Sequence, residues 1–474
     1  MRRIKADLAI IGAGSAGLSV AAGAAQLGLK VVLFEKGEMG GDCLNTGCVP
    51  SKALIAAAEV AHTVREAGRF GVRAAEPEID FAAVMAHVRG AIAAIEHHDS
   101  QARFEGLGVT VVREAARFTG VRTVESDSVS VAARKVVIAA GSRARVPPIP
   151  GLDGVRYLTN ETVFGLAERP RRLLILGGGP IGLELGQAFR RLGCEVVVIE
   201  AGAPFVREDA DLAAVVLEQL RADGVEIMAG AKAVAAEPAP DGVALRVEQD
   251  GREVGVEGSH LLVAVGREPV LEGLNLDAAG VERDAKGIKT DARLRTSNPA
   301  VFALGDVAGR DQYTHAAGAH AALFVRKALF AQGVDADRLV IPRVTYTDPE
   351  LAVVGLTEAQ ARAEHGDTVK VVTYAFKDVD RAVAEGDTRG FAKLVTDRKG
   401  RILGVGIVGK GAGEAIHPWV LTLANKAGLR SLTGYVTPYP TRLEIGRRLA
   451  GAWYAPILFS GRTRALVSLL KRLG

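Results

Sequence analysis

Short apolar runs that end at a glycine or an aspartate recur along the first 340 residues, and they predict buried strands. Between them lie longer stretches with apolar residues at helical spacing, such as Ala53–Val64. Strands that alternate with helices in this way predict an α/β fold. The runs predicted as strands are Leu8–Ile11, Lys135–Gly141, His260–Gly266 and Val301–Asp306.

From Ile341 the pattern changes to closely spaced alternating or apolar strands with little helix between them. Helices are predicted only at Thr357–Glu364 and Glu414–Ala427. This pattern predicts a separate α+β domain of about 115 residues, built on an antiparallel sheet. Its predicted strands are Val344–Thr347, Leu351–Val354, Val369–Phe376, Phe391–Thr396 and Ile402–Ile407.

The chain contains an internal repeat, in which Ile10–Lys36 matches Ile175–Ala201 at an offset of 165 residues. Each copy reads as an apolar strand, a G-x-G-x-x-G turn, a helix, a second apolar strand and a final glutamate. That order is the context that a dinucleotide-binding turn requires, because small residues and a helix N-terminus let the backbone approach a pyrophosphate. The alternative, a tight turn without a ligand, becomes less plausible when the whole unit occurs twice. The residues concerned are Gly12, Gly14, Gly17 and Glu35 in the first copy, and Gly177, Gly179, Gly182 and Glu200 in the second.

Composition and charge limit the class of protein. The 474 residues are 48% hydrophobic and 24% charged, which indicates a globular chain of about three domains. A net charge of +4, with no basic run interleaved with aromatics, gives no reason to expect nucleic acid. The short basic N-terminus runs directly into the first strand, and no apolar stretch is long enough to span a membrane. We therefore expect a cytoplasmic protein.

Two of the three cysteines, Cys43 and Cys48, lie together in the sequence GGDCLNTGCVPSK, which we call the redox loop (Gly40–Lys52). They precede a helical stretch, whose N-terminus stabilises thiolate. Thiols at this spacing can form a small disulfide loop if Gly47 lets the backbone bring them together. A metal site or two unrelated buried thiols are the alternatives, but no further short-spaced cysteine or histidine pair supplies the remaining zinc ligands, so we predict no metal.

The two glycine turns with a C-x-x-x-x-C pair between them resemble the class I pyridine nucleotide–disulfide oxidoreductases, which include dihydrolipoamide dehydrogenase, glutathione reductase and mercuric reductase. The resemblance extends from Ala6 to about Ala452 in unbroken order. Besides the redox loop, it rests on AAGS at Ala139–Ser142, GGGPIGLE at Gly177–Glu184, GRxP at Gly266–Pro269 and ALGD at Ala303–Asp306.

The resemblance implies two Rossmann-like domains, one for FAD and one for NAD, and a C-terminal α+β dimerisation domain. FAD would contact the first glycine turn, Glu35, Gly141 and Asp306, and the nicotinamide cofactor would contact the second turn, Glu200 and Gly266. Cys48 would face the flavin, Cys43 would meet the substrate, and Lys52 would pair with Glu184 beside the flavin. The implied activity is transfer of electrons from NAD(P)H through the flavin and the Cys43–Cys48 disulfide to an acceptor that the sequence does not identify. The predicted segments are 1–150 and 271–340 for FAD, 151–270 for NAD(P), 341–455 for the dimer and 456–474 for a basic tail.

Two positions separate this chain from common thiol-oxidising members of the family. The segment that those members present to the partner subunit carries a histidine before Pro-Thr, whereas this chain has Tyr439 there and keeps the later Glu444. Tyrosine is a poor base at neutral pH, which puts dihydrolipoamide oxidation in doubt. Glu200 would repel a 2′-phosphate, and Arg207 is the nearest arginine, so NADH is favoured over NADPH.

The sequence leaves the acceptor and the role of the tail open. Mercuric reductases share the Pro-Tyr-x-Thr-x-x-Glu pattern, but this chain has no cysteine after Cys194 to deliver a metal ion. After Trp453, apolar and basic residues take opposite sides of a predicted helix. Such a helix suits an anionic membrane surface or a partner, and it more often covers its own domain or the other subunit of a dimer. The rival hypotheses are a dihydrolipoamide dehydrogenase, a flavoprotein subunit that docks on a larger redox complex through this tail, and a quinone reductase whose cysteines are bystanders.

Overall fold

The computed structural model describes residues 1–472 and divides the chain into two compact units. The first unit comprises residues 1–202 and 226–339, and the second comprises 203–225 and 340–474. Leu473 and Gly474, the last two residues of the predicted tail, lie outside the described residues.

The first unit contains two sheets, each formed by one copy of the repeat, in which four parallel strands follow the same order. In both sheets, the strand that precedes the glycine turn lies in the middle. On one side it pairs with the strand that follows the first helix, and on the other with a strand that comes after a group of antiparallel strands in the sequence. The first sheet runs, in spatial order, Thr110–Val112, Val31–Phe34, Arg2–Ile11, Val129–Ile138, Thr123–Glu125 and Arg117–Gly120, with Val301–Ala303 also paired to Val129–Ile138. The second runs Glu226–Ala229, Glu195–Glu200, Arg172–Leu176 and His260–Val263.

Helices and smaller sheets complete this unit. In the second copy of the repeat, the group of antiparallel strands is a three-stranded meander. Its strands are Ala231–Ala239, Gly242–Gln249 and Arg252–Gly258. The short pairs are Ser142–Ala144 with Arg267–Pro269, and Arg283–Asp284 with Gly287–Ile288. The helices are Ser15–Gln26, Gly41–Asn45, Cys48–Glu66, Phe81–Asp99, Gln101–Gly106, Pro180–Arg191 and Thr314–Phe324, the last continued by a π turn at Val325–Leu329.

The second unit is built on one antiparallel sheet of five strands. Its central strand, Ile402–Gly409, is buried along its whole length and packs against helices that supply Trp419, Ile445 and Trp453. The strands, in spatial order, are Arg343–Thr345, Glu350–Gly355, Ile402–Gly409, Phe391–Thr396 and Lys370–Ala375. The helices are Ala210–Ala222, Glu358–His365, Asp380–Ala384, Ala412–Ala415, His417–Ala424, Glu444–Leu458 and Gly461–Leu470.

These sheets confirm the predicted fold class, two Rossmann-like folds followed by an α+β domain. A prediction in the second unit is corrected. The helix predicted at Glu414–Ala427 is two helices that meet at Ile416. Trp453, which precedes the predicted tail, is buried and donates its indole N–H to Thr396 Oγ1 at 3.0 Å.

Candidate active site

Both glycine turns are closed by the glutamate at the end of the following strand. Glu35 accepts hydrogen bonds from Ala13 N at 2.6 Å and Gly37 N at 2.7 Å. Glu200 accepts from Gly178 N at 2.7 Å and Gly202 N at 2.8 Å. The N–H donors in the second turn lie 165 residues after those in the first, which is the offset of the sequence repeat. Each carboxylate is therefore fixed at the strand end with lone pairs left to accept from a ribose.

The first and third glycines of each turn are required by the protein itself. The first has φ of +105° or +111°, and a Cβ on it would overlap the carbonyl oxygen that follows the neighbouring strand. A Cβ on the third would overlap the carbonyl oxygen of the first. These residues are Gly12 and Gly17 beside Ala139 in one turn, and Gly177 and Gly182 beside Ala264 in the other.

The middle glycines, Gly14 and Gly179, have no such requirement. Their φ angles are −86° and −85°, which any residue adopts. A Cβ on Gly14 would come no closer than 3.9 Å to Gly41 Cα, and one on Gly179 would meet nothing within 4 Å. Each precedes a helix whose first N–H groups have no side-chain cap. The free space and the unpaired donors fit a dinucleotide pyrophosphate at each turn, as FAD and NAD(H) require.

The redox loop places its two cysteines on consecutive helices, the first short and the second long. Cys43 lies in the helix Gly41–Asn45, and Cys48 is the first residue of the helix Cys48–Glu66, five residues earlier than the sequence predicted. Gly47 joins the segments, and a Cβ there would stand 2.9 Å from the carbonyl oxygen of Asp42. Both cysteines are present as thiols, the reduced form of the predicted pair.

The two thiols have opposite acidities. A hydrogen bond from Cys43 lowers the pKa of Cys48 to about 6, with further lowering by Thr314 and Lys52 that offsets the effect of burial. The same hydrogen bond, followed by burial and the charge of Cys48, raises the pKa of Cys43 far above its usual value. Thr314 Oγ1 lies 3.3 Å from Cys48 Sγ. At neutral pH the pair therefore holds one proton on Cys43 and a thiolate on Cys48.

Lys52, one turn along the helix from Cys48, forms an ion pair with Glu184. Its Nζ lies 2.7 Å from Glu184 Oε2, and the glutamate side chain is only 8% exposed, on the helix that follows the second glycine turn. The structure thus brings together two residues that the sequence separates by 132 positions. The ion pair connects the cysteine helix to the nucleotide-binding repeat and keeps a positive charge near the thiolate.

Asp306 lies at the end of a polar network that reaches back to the redox loop. It accepts from Ser142 Oγ at 2.5 Å, and Ser142 Oγ accepts in turn from Arg267 Nε at 2.8 Å. Arg267 Nη2 also lies 3.2 Å from Asp42, the residue before Cys43. Burial raises the pKa of Asp306, while Ser142 and Arg267 counter that rise. A half-buried carboxylate held in this way fits the hydroxyl-bearing chain of a flavin.

Gly141 and Gly266 introduce the two short strands on which this network is built. Their φ angles are +70° and +120°, so both turns favour glycine. Arg145 N donates to the carbonyl of Gly266, and Val270 N donates to that of Gly141, each at 3.0 Å. The two glycines therefore hold Ser142 and Arg267 in register, which explains why both motifs are needed for one carboxylate.

Tyr439 and Glu444 belong to the second unit, where Tyr439 is tied to a carboxylate. Its hydroxyl donates to Asp380 Oδ2 at 2.9 Å, and this bond and the charge of Asp380 raise the pKa of Tyr439 above its usual value. Glu444 is buried at the start of the helix Glu444–Leu458, 3.7 Å from Arg448. The segment thus presents a phenol that holds its proton, and this phenol is not a base at neutral pH.

Sequence reasoning missed the roles of Asp42, Ser142, Asn160 and Thr314. Asp42 accepts from Thr46 Oγ1 at 2.6 Å and from the buried Asn160 at 3.0 Å, in addition to its pair with Arg267. The only signal was the presence of a charged residue inside the redox loop, directly before a cysteine. Two of the partners of Asp42, Asn160 and Arg267, lie more than 100 residues away along the chain, so no local pattern identifies them.

Residues 1–472 contain no group of three or more side chains placed to hold a metal ion, and no helix among them is long and apolar enough to cross a membrane.

Comparison with known proteins gives consistent matches along the chain. Residues 6–322 match the family described as pyridine nucleotide-disulphide oxidoreductase, and residues 341–449 match its dimerisation domain. A mercuric reductase from Bacillus cereus is 35% identical, over 94% of this chain and 70% of the relative. A dihydrolipoyl dehydrogenase from Thermus scotoductus is 38% identical, over 92% of this chain and 95% of the relative.

A solved structure also matches closely in shape. The Cu(II) complex of the HOCl-induced flavoprotein disulfide reductase RclA from Escherichia coli aligns with a TM-score of 0.83 and 27% sequence identity. The alignment covers 94% of this chain and 99% of the RclA chain. Likeness in sequence and in fold thus extends over almost the entire chain.

Proposed function

The chain belongs to the pyridine nucleotide–disulphide oxidoreductases, and from that membership we propose that it passes electrons from NADH, through FAD and the Cys43–Cys48 pair, to a thiophilic metal ion. The membership itself makes the chain an FAD-dependent NAD(P)H disulfide oxidoreductase and a homodimer. The metal ion, the preference for NADH and the residue roles below are the proposal.

The residues of the site divide the work in this proposal. The flavin, when bound, accepts two electrons from the nicotinamide and delivers them to the disulfide. Cys48, with a pKa of about 6, leaves that disulfide as a thiolate, and Cys43 keeps a proton. Lys52 holds positive charge beside Cys48, and Glu184 keeps the ammonium in position. Cys43 and Cys48 then present two sulfur ligands to the acceptor.

The observation that carries the choice of a metal ion is the hydrogen bond from Tyr439 to Asp380. A dithiol substrate must lose protons as it is oxidised, and the phenol cannot take them. A soft metal ion instead needs thiolate ligands. Cys48 supplies one directly, and binding of the metal ion displaces the proton of Cys43 to water, so no protein base is required. A thiophilic metal ion as the acceptor is also supported by the similarity to mercuric reductases and to RclA, which was solved as a Cu(II) complex.

The proposed reaction balances for a divalent ion that takes up two electrons. NADH, a proton and the disulfide give NAD⁺ and the two thiols; the thiols and the ion then give the disulfide, the metal in its reduced form and two protons. A cupric ion accepts one electron, so two such ions would be consumed for each NADH.

Glu200 supports NADH over NADPH. Two backbone N–H groups fix its carboxylate at the ribose position, where it would repel a 2′-phosphate. Arg207 is exposed and belongs to the other compact unit.

We also propose that the homodimer works in the cytoplasm and that segment 456–474 docks it onto a surface. This part of the chain follows the matched dimerisation domain, which ends at residue 449.

The proposal is tested by anaerobic reduction followed by an acceptor panel. One equivalent of NADH is expected to expose two alkylatable thiols, measured by mass spectrometry, and NADPH is expected to do so at least about tenfold more slowly. Mercuric or cupric ions are then expected to reoxidise the pair faster than oxidised glutathione, lipoamide or quinones.

Matched variants make this test specific. Cys43→Ser is expected to abolish metal-dependent NADH oxidation, and Cys194→Ser, which removes a buried thiol outside the loop, is expected to leave it unchanged. Tyr439→His is expected to introduce dihydrolipoamide oxidation, because the imidazole supplies a base. Rapid dihydrolipoamide oxidation by the unaltered protein would instead establish the dehydrogenase alternative, and quinone reduction that survives Cys43→Ser would establish the quinone reductase.

A further inference from the structure

The last helix of the chain, Gly461–Leu470, exposes almost all of its side chains. Only Thr463 is partly covered, and no residue of the helix is buried. Four large apolar side chains are about half exposed on a helix that supplies nothing to the core of its unit. These are Leu466, Val467, Leu469 and Leu470. We propose that this helix lies flat on the surface of an anionic lipid bilayer.

Most apolar and basic residues of this helix occupy different sides. At helical spacing, Leu466, Val467 and Leu470 fall on one side with Leu469 at its edge, and Arg464 and Lys471 fall on the other. Arg462, in the first turn, falls on the apolar side, where its long side chain can extend to the headgroups. The preceding turn adds exposed Leu458 and Phe459, the latter 72% exposed. This arrangement is typical of a helix that inserts its apolar side among acyl chains while its cations remain at the headgroups.

The charge of the segment selects an anionic occupant. Glu444 is the last acidic residue, and everything after it is basic or uncharged, although the whole chain has 55 acidic residues against 59 basic ones. A second copy of the chain would bring the same positive segment, and the matched dimerisation domain ends at residue 449, before this helix begins. The basic residues are Arg447, Arg448, Arg462, Arg464, Lys471 and Arg472.

The helix is joined to its unit by an ordered turn. Ser460 Oγ caps it by accepting from Thr463 N at 3.2 Å, and Thr463 Oγ1 donates to the carbonyl of Ile457 at 3.0 Å. The preceding helix, Glu444–Leu458, is fixed in the core by the buried Trp453. A homodimer carries two such helices, and two weak membrane contacts bind more firmly than one.

This inference makes the proposed docking role specific, and it holds whichever acceptor the enzyme uses. The test is cosedimentation of the FAD-loaded enzyme with vesicles of about three parts phosphatidylcholine to one part phosphatidylglycerol, and with pure phosphatidylcholine vesicles. Binding is expected only to the anionic vesicles and is expected to weaken at high salt. Arg464→Glu, Lys471→Glu and Arg472→Glu combined are expected to weaken binding by at least about 100-fold.

Controls separate this inference from the enzymatic proposal. Arg73→Glu, Lys232→Glu and Arg252→Glu combined reverse three exposed cations of the first unit and are expected to leave vesicle binding unchanged. NADH turnover is expected to be the same in both triple variants, so loss of turnover would concern the enzyme and not the helix. Equal binding to both kinds of vesicle, or full binding by the tail variant, would overturn the inference. So would loss of the dimer in a chain ending at Ser460, since a second copy would then cover the helix.

Discussion

The two cysteines of the redox loop show how neighbouring groups set the chemistry of a single side chain. Cys43 lies near the start of a short helix and Cys48 at the start of a long one. The pKa of Cys48 is nevertheless lowered, whereas that of Cys43 is raised. The difference comes chiefly from the hydrogen bond between them. The charge of Cys48 raises the pKa of Cys43 further, and the charge of Lys52 lowers the pKa of Cys48. Cys48 is therefore the thiol expected to react at neutral pH.

The pH dependence of alkylation tests this assignment. In the reduced enzyme, the rate of modification of Cys48 by iodoacetamide is expected to rise through about pH 6 and to level off above it, because the lowered pKa leaves thiolate on the alkaline side. Thr314→Val removes one stabilising group and is expected to move the inflection upward by about one unit. Peptide mass spectrometry measures both rates.

Cys194 serves as the internal control in the same sample. Burial raises its pKa to about 12, so it is expected to remain unmodified across the range. An inflection at the pH of an ordinary thiol in the unaltered enzyme would contradict the assignment.

At the level of elements, the glycine turns were predictable because their requirements are local. A positive φ at the first glycine and a close backbone contact at the first and third leave no other residue at these positions, so the pattern can be recognised in the sequence alone. The middle glycine is free of both requirements. Its role is therefore expected to separate from folding.

Substitutions in the second turn test this separation. Gly179→Ala is expected to leave the thermal midpoint nearly unchanged and to weaken NAD⁺ binding by about tenfold or more, because its methyl group would occupy the space next to the pyrophosphate. Gly182→Ala is expected to destabilise the fold by about 1–3 kcal/mol, because its Cβ overlaps a backbone carbonyl. Calorimetry of binding and of unfolding measures both effects. Comparable loss of stability in the two variants would contradict the separation.

Other elements escaped prediction for identifiable reasons. The meander of the second repeat was not predicted, although its second hairpin turns at Asp250-Gly251, a dipeptide that favours such turns. Its first hairpin turns at Pro240-Asp241. Along its strands, charged residues alternate with apolar ones, because one face of the meander is exposed. The start of the cysteine helix was placed late because Gly47 and Pro50 resemble a loop, whereas a proline in the first turn of a helix is well tolerated. The Asp42 network depends on contacts between distant segments, which only the fold supplies.

For the whole molecule, the two compact units do not follow the order of the sequence, because one segment inside the second repeat belongs to the C-terminal unit. Residues 203–225 group with the C-terminal domain, and their helix Ala210–Ala222 packs Leu212 beside Gly406 of the central strand. Lys393 joins this segment to the C-terminal domain through ion pairs. Its side chain is 5% exposed and lies 2.6 Å from Asp211 and 3.1 Å from Glu358. Burial alone would lower the pKa of Lys393, but these carboxylates raise it overall.

Removal of that cation is expected to weaken the second unit. Lys393→Met leaves Asp209, Asp211 and Glu358 facing one another without their shared partner, and the expected loss is about 2–3 kcal/mol because Asp211 remains partly hydrated. Urea unfolding measures the change, and Lys399→Met, at an exposed position, is expected to change stability by less than about 0.5 kcal/mol. An effect no larger than that of Lys399→Met would show that the cluster adds little.

The glutamates that close the two glycine turns limit how nucleotide preference can be redesigned. Glu200 is both the group expected to reject a 2′-phosphate and the acceptor for two backbone N–H groups. Replacing it with a small neutral residue would remove the repulsion and also strip the turn of both acceptors. A successful switch to NADPH therefore needs an uncharged side chain of the same length that still accepts from Gly178 or Gly202, such as glutamine, together with a newly introduced arginine. Specificity engineering at this position is a problem of loop stability as much as of charge.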